Sequence, residues 1–410
     1  MIFRDREPQP LGRIARLASL RAVHAAFGWL HLHEPRIAAW QREFVAIPAP
    51  PFREGPRADW FAERMVELGL ADVHIDAEGN ALGLLRPDDG VSPVVMLSAH
   101  LDTVFAEGTE LVVREENSLL YAPGISDNGA GLAGLLAIIA GMQSAGVVPG
   151  TNVLFAANVG EEAEGDLRGM RYLFGASPLA GRIRGAIALE GAGTGTVVSR
   201  ALGSRRFRVE VTGPGGHAWT DAGQANPIAV LSSAIAALFA QQLPARPRTT
   251  LNVGEIIGGT SVTSIPQTAS ATFDIRSTDP NNILSVEVRL YRAVEDAVLA
   301  QGTVNGVGVR AQITCIGDRP AAELAANSRL LATVKAVDRH LQLKTEERLG
   351  STDANVPLAL GREAIAIGAG GTAGGIHTTN EWFDPRGRNL ALRRVLLILL
   401  DLCDESAAGQ

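Results

Sequence analysis

Apolar runs of strand length recur along this chain, and several of them stop abruptly at an ionisable residue. The stretch "VVMLSAHLDTVF" (94–105) starts as unbroken apolar sequence, suited to a strand buried on both faces, and ends at His100 and Asp102. Two residues apart on an extended chain, a histidine and a carboxylate point to the same side. "NVLFAANV" leads into Gly160-Glu161-Glu162, "GAIALEG" reaches Glu190, and "EAIAIGAGG" passes through glycines towards His377. Helical patterns lie between these runs. Residues 11–47 are amphipathic up to the proline-rich break "IPAPPFREGP", and a helix after it sets Trp60, Phe61, Met65 and Leu68 on one face. "NGAGLAGLLAIIAGMQSAG" and "LALRRVLLILLDLC" complete the series. Buried runs separated by helices predict an α/β domain built on a mainly parallel sheet covered on both faces.

From about residue 200 to 317 the rhythm changes. "RRFRVEVTG" alternates like a half-exposed strand, and "NPIAVLSSAIAALFAQQL" opens as a helix at Asn226-Pro227. Two strands, "TLNVGEIIGG" and "TASATFDIRS", a helix over "NILSVEVRLYRAVEDAVLAQ" and a strand over "GVGVRAQITCIG" follow. That order, βαββαβ, is the split βαβ, ferredoxin-like unit. The expected organisation is therefore a discontinuous domain, 1–199 and 318–410, interrupted by an inserted α+β domain, 200–317.

Composition narrows the possibilities. With 410 residues, 46% hydrophobic and 20% charged, the chain suits two globular domains rather than a disordered protein. Its net charge of -7 and scattered basic residues argue against a nucleic-acid partner. Two cysteines, Cys315 and Cys403, form no CxxC pair, which removes a disulfide scaffold and a thiolate zinc site. The charged start "MIFRDREPQP" lacks the apolar centre of a signal peptide, and no run approaches the ~18 apolar residues of a membrane span. A cytoplasmic enzyme or binding protein, with no membrane partner, is the expectation.

Ligands of open α/β sheets collect at the carboxyl ends of the strands. There the pattern places His100, Asp102, Glu161, Glu162, Glu190 and His377, with Asp127 in "GISDNGAG" just ahead of a helix. Each taken alone reads as a helix cap or a surface charge. Together, clustered carboxylates would repel one another and lose solvation, a conflict that a cation resolves. Two histidines and several carboxylates without cysteine suit zinc, with manganese or cobalt as alternatives. The carboxylates outnumber the needs of one tetrahedral ion, which suggests two metals sharing a bridging ligand.

At these residues the sequence resembles the co-catalytic zinc amidohydrolases and exopeptidases, a family that includes acetylornithine deacetylase, succinyl-diaminopimelate desuccinylase, aminoacylase, glutamate carboxypeptidase and peptidase T. The resemblance is carried by "SAHLDTV", "GISDNGAG", "GEEAEGDLRG", "ALEG" and "GGIHTTNEW", with "GPGGHAWTDAGQANPI", "GGTSVTSIPQTASATFDIRS" and "STDAN", in the family order from about residue 40 onwards. It implies that His100, Asp127 and Glu190 hold one metal and Asp127, Glu162 and His377 the other. Asp102 would orient His100. Glu161 would be the general base, moving a proton from the bridging water to the leaving nitrogen. It also implies a cis peptide at Asp127-Asn128. The inserted domain would be a lid that forms a homodimer, with His217 reaching the partner's site to stabilise the oxyanion and Arg276 gripping a substrate carboxylate. Thr263 stands where many relatives have an asparagine that helps hold the substrate.

The substrate expected from this resemblance is a small peptide cleaved next to a free carboxylate, with deacylation of N-acyl amino acids as the alternative. Rival readings are weaker. Gly368, Gly370 and Ala373 make a GxGxxA after a strand, as in dinucleotide-binding loops, but irregular sequence and His377 follow it in place of a regular helix. No GxSxG elbow supports a serine hydrolase. A metal-free binding protein descended from such an enzyme would have lost ligands or Glu161, and all are present.

Overall fold

The computed structural model describes residues 10–304 and 307–404. The chain forms two compact units, one running up to Ala201 and resuming at Glu323, the other comprising Leu202–Ala322.

The first unit is built on a sheet with strands in the order Ala71–Ile75, Ala81–Leu84, Asn152–Asn158, Val94–His100, Ile183–Leu189, Glu363–Ile367 and Thr196–Ala201, with Glu346–Gly350 alongside the last. The four central strands are parallel, and Val94–His100 is buried along its whole length, as its unbroken apolar run requires. The sheet is nevertheless mixed. Ala71–Ile75 and Ala81–Leu84 are antiparallel because the link between them is a tight turn, in which the Asp76 carboxylate accepts the amides of Glu78, Gly79 and Asn80. So short a link cannot make the crossover that parallel pairing needs. Register places His100 level with Asn158 and Leu189 level with Ile367, so the central strands end on one rim.

Helix Gly129–Ala145 is buried from Gly129 through Met142, which explains why it is apolar all round. The amino-terminal pattern resolves into Pro10–Ser19, Arg21–Leu32 and Glu34–Val45. These belong to the unit's core: they pack on Gly129–Ala145, Arg329–His340 and Arg388–Leu402. Arg13 reaches across to Asp401, donating from both Nε and Nη2 at 3.1 and 3.2 Å, and Thr333 Oγ1 donates to the same carboxylate at 2.6 Å. No helix among the described residues is long and apolar enough to cross a membrane.

In the second unit the strands run Thr249–Gly258, Thr268–Ser277, Gly203–Thr212, Arg310–Arg319, all antiparallel. This is the order of a split βαβ unit. Helices Pro227–Phe239 and Pro280–Gln301 share an apolar core with Phe207, Val209, Val211, Ala271, Phe273 and Ile275. The alternate positions Arg206, Arg208, Glu210, Asp274 and Arg276 are half-buried or exposed, as period-two alternation dictates.

The Gly368–Ala373 segment is not a dinucleotide loop. Strand Glu363–Ile367 is followed by strand Thr372–Gly374 rather than by a helix, so no helix N-terminus is available to a phosphate. A Cβ at Gly368 would lie 2.5 Å from the Gly193 carbonyl, and one at Gly370 2.6 Å from the Arg388 backbone. These glycines serve close backbone packing.

The buried pair between Arg13 and Asp401 leads to a stability prediction. Asp401→Asn removes the charge on which Arg13 and Thr333 converge inside the unit and should cost about 3 kcal/mol, because breaking one side of a buried pair is far worse than replacing both. Thermal unfolding should show a clear drop in midpoint; an unchanged midpoint would remove the pair from the account of how the amino-terminal helices dock.

Candidate active site

Five side chains from separate parts of the first unit meet at the rim. His100 ends its central strand, Glu190 follows Leu189, and Glu162 lies in the turn after Asn152–Asn158. Asp127 precedes the long helix, and His377 sits in the loop after Thr372–Gly374. Asp127 stands between the two imidazoles: its Oδ1 is 3.3 Å from His100 Nε2 and its Oδ2 is 3.1 Å from His377 Nε2. The same nitrogen of each ring meets a further carboxylate, Glu190 Oε1 at 3.2 Å from His100 Nε2 and Glu162 Oε1 at 3.1 Å from His377 Nε2. The arrangement is therefore two imidazole–carboxylate sets joined by one shared carboxylate.

The electrostatics follow from that crowding. Burial alone would lower the His100 pKa, but Glu190, Asp102 and Asp127 around it raise it well above the usual histidine range. His377, hydrogen-bonded to Asp127 and Glu162, is pushed up to about 10. Burial opposes ionisation of Asp127, yet the two rings hold it below the usual carboxylate range. Glu190 is pushed up to about 7, chiefly by burial. Protons on the rings thus balance the acids in the protein alone, which is the compensation that a cation would supply.

The donor set fits a metal. One ligand atom each from His100, Asp127 and Glu162 lie within 4.8 Å of one another. Among the described residues Glu190 Oε2 is buried without a hydrogen-bond partner, a costly state for a carboxylate oxygen unless something else meets it. The ring of His100 is also set for ligation. Its Nδ1 lies 3.0 Å from the backbone carbonyl of Asp102, which fixes the proton there and leaves Nε2 facing the carboxylates.

Asp102 therefore touches the ring mainly through its main chain. Its Oδ1 is 3.6 Å from His100 Nδ1, whereas the carboxylate accepts the amides of Glu161 and Glu162 at 2.9 and 2.7 Å. One buried acid thus holds two neighbouring strand ends in register. Glu161 is itself buried.

Three supporting residues were given no role from the sequence, although Asn128 and Glu381 lie within the segments "GISDNGAG" and "GGIHTTNEW". Asn128 caps the long helix through Gly131 N and binds Leu189 O and Gly191 N on either side of Glu190. A Cβ at Gly131 would fall 2.0 Å from Asn128 Oδ1, so this contact requires glycine. An asparagine immediately before an apolar helix is a legible cap signal. Arg57, buried, donates to Leu101 O at 2.7 Å and to Ile47 O at 3.0 Å, bracing the segment between His100 and Asp102; its surroundings in sequence carry no such signal. Glu381, wholly buried, accepts the amides of Gly124, Ser126 and Asp127. The Asp127–Asn128 peptide is cis.

His217, Thr263 and Arg276 lie in the second unit. His217 and Ser264 pair across a two-residue ladder, and Ala218 N donates to Thr263 O, so the His217 and Thr263 segments are neighbours. His217 is exposed, and its Nδ1 accepts the amides of Trp219 and Thr220 at 3.1 and 3.3 Å. A ring that accepts at Nδ1 carries its proton on Nε2. Thr263 Oγ1 lies 3.1 Å from Ser261 Oγ. Arg276 donates from Nε to Asp274 at 2.6 Å, with the rest of its guanidinium partly exposed.

Comparison with known proteins agrees with this geometry. No curated protein sequence matches the chain. Among solved structures, a tripeptidase from Staphylococcus aureus is 22% identical, with a TM-score of 0.73, over 90% of this chain and 98% of that one. Aminopeptidase PepT from Bacillus cereus is 20% identical, TM-score 0.70, covering 90% and 99%. The YXEP protein of Bacillus subtilis, described as a dinuclear metal binding peptidase from the M20 family, is 14% identical, TM-score 0.64, covering 90% and 98%. These likenesses establish the fold. The sequence model of peptidase family M20/M25/M40 matches residues 96–399, which take in every residue of the rim, and the chain therefore belongs to that family of metal-dependent peptide and amide hydrolases.

Proposed function

We propose that the protein is a two-metal exopeptidase that hydrolyses the amide bond beside a free carboxylate in small peptides. The observation that carries this is the shared carboxylate: Asp127 offers one oxygen to each imidazole, and each imidazole has its own second acid. His100, Glu190 and Asp127 would hold one ion, and His377, Glu162 and Asp127 the other. Zinc suits the donors best, with manganese or cobalt as alternatives. When bound, divalent ions acidify a water and polarise the scissile carbonyl. Peptide substrates are supported by the names of the tripeptidase and PepT, and two metals by the description of YXEP.

The chain's own groups take the remaining roles. Glu161 removes a proton from the attacking water and returns it to the departing amine nitrogen. Its backbone is held by the Asp102 carboxylate, which keeps it next to the ligand Glu162. His217 donates from Nε2 to the oxyanion in the site of a second copy, and its Nδ1 contacts support that tautomer. The open edge strands of the inserted sheet, with Ile256 and Ile257 exposed on Thr249–Gly258, support pairing between copies. Arg276, aimed by Asp274, receives the substrate carboxylate, and Thr263 lies beside the His217 segment to contact the substrate.

Three outcomes test this reading. A panel of dipeptides, tripeptides, their amides and N-acetyl amino acids should show the free peptides turned over best, and Arg276→Ala should erase the advantage of a free over an amidated terminus. Preference for N-acetyl amino acids would move the substrate class to deacylation. Glu161→Gln should lower kcat by about 10²–10⁴-fold with metal content unchanged, while Glu162→Gln should lose metal; the reverse pattern would exchange their roles. The third concerns protons. Asp127 and Glu162 push His377 up to about 10, and the acids around His100 raise it well above the usual range, so metal uptake at pH 8 should expel protons, about two per chain if both rings give theirs up. Affinity should therefore rise with pH towards 10 and fall steeply below 7, where Glu190, pushed up to about 7, also protonates. Titration calorimetry in buffers of different ionisation enthalpy reads this directly, and binding without proton release would show that the two rings are already neutral at pH 8.

A further inference from the structure

The contacts of Glu381 extend beyond the ligand set. Strand Trp382–Asp384 pairs with Leu119–Tyr121, with Trp382 opposite Tyr121, so Glu381 lies opposite Ala122. Ala122 N donates to the Glu381 carbonyl at 3.2 Å. From there the loop curls over the Glu381 side chain: Gly124 N donates to Oε2 at 3.0 Å, and Ser126 N and Asp127 N donate to Oε1 at 2.7 and 2.9 Å. Three amides in one loop thus converge on one buried carboxyl group. On its other side Glu381 is tied to the His377 loop, since Glu381 N donates to Thr378 O and Thr378 N to Gly375 O. Asp127 and His377 are 250 positions apart in sequence, yet their side chains lie 3.1 Å apart. Glu381 is the hydrogen-bonded link between the backbones that carry them.

We infer that Glu381 is a positioning residue that clamps the Asp127 loop to the His377 loop and so sets the spacing on which metal retention depends. The inference rests on the two-metal reading of the rim. A carboxylate is required because only an acceptor-only group satisfies all three amides. A glutamine of the same size could accept from Ser126 and Asp127, but its NH2 would face the Gly124 amide, donor against donor. Groups that orient metal ligands typically alter metal affinity by about 10–100-fold when removed. A group that only fills space would alter stability alone.

The experiment compares full-length zinc-loaded wild type, Glu381→Gln and Asp401→Asn, each mixed with excess pyridylazoresorcinol, with zinc release followed by absorbance and thermal unfolding measured in parallel. Asp401→Asn is the control for lost stability remote from the rim. We expect wild type and Asp401→Asn to release zinc at similar rates and Glu381→Gln to release it at least ~10-fold faster while still unfolding cooperatively above the assay temperature. Should Glu381→Gln not fold, Glu381→Asp takes its place, since it keeps the charge but is one methylene too short, and faster release is again expected. Release at the wild-type rate with a lowered melting point would overturn the clamp and leave the two-metal reading standing. Loss of the folding transition in both variants would likewise overturn it, by assigning the carboxylate to the fold. Wild-type protein that takes up no zinc, manganese or cobalt would instead overturn the two-metal reading itself.

Discussion

Acidic side chains crowded at the end of a buried sheet need positive charge near them, and this requirement organises the first unit. Within the chain two imidazoles meet it, and the acids around them raise the pKa of both. Asp127 is the pivot because both rings face it. Much of the surrounding hydrogen bonding keeps that one residue and its neighbours in place: Glu381 grips its loop, Asn128 ties that loop to the Glu190 strand, and the Asp102 carboxylate joins the His100 strand to the Glu161–Glu162 turn.

The division of labour between buried and exposed groups follows from dielectric. His100 and Asp102 are fully buried and locked, whereas His377 is half exposed and reaches the rim from a loop. Groups that set geometry are dry, where each hydrogen bond is strong and an unpaired partner is costly. The side that admits substrate has to remain open to water. The same logic separates Arg57, spent on backbone carbonyls inside the unit, from Arg276, whose guanidinium is partly exposed and braced by one carboxylate.

The amino-terminal helices show how charge also supports the fold. No motif of the family covers them, yet Arg13 is buried against Asp401 in the final helix, and Arg388 in that helix is buried against Gln41. The two parallel hydrogen bonds from Arg13 to one buried carboxylate fix docking where apolar surfaces alone would tolerate sliding. The segment is thereby part of the catalytic unit's core.

Period and termination were legible in the sequence. Unbroken apolar runs marked the central strands, the alternation in 200–317 marked the inserted unit, and polar breaks at His100, Glu161, Glu190 and His377 marked the rim, because burial on two faces, on one face or on none leaves different residue patterns. The antiparallel flank of the main sheet was not legible, since it depends on a turn whose geometry comes from Asp76 binding its own backbone. Nor was the atom by which Asp102 meets His100, which is set by two amides arriving from another strand. Glu381 was hidden for the same reason: nothing in "HTTNEW" shows that three amides some 255 positions earlier converge on it. Local pattern records whether a residue faces core or water. Which polar atom it meets there depends on chain segments distant in sequence, and only the tertiary structure brings those together.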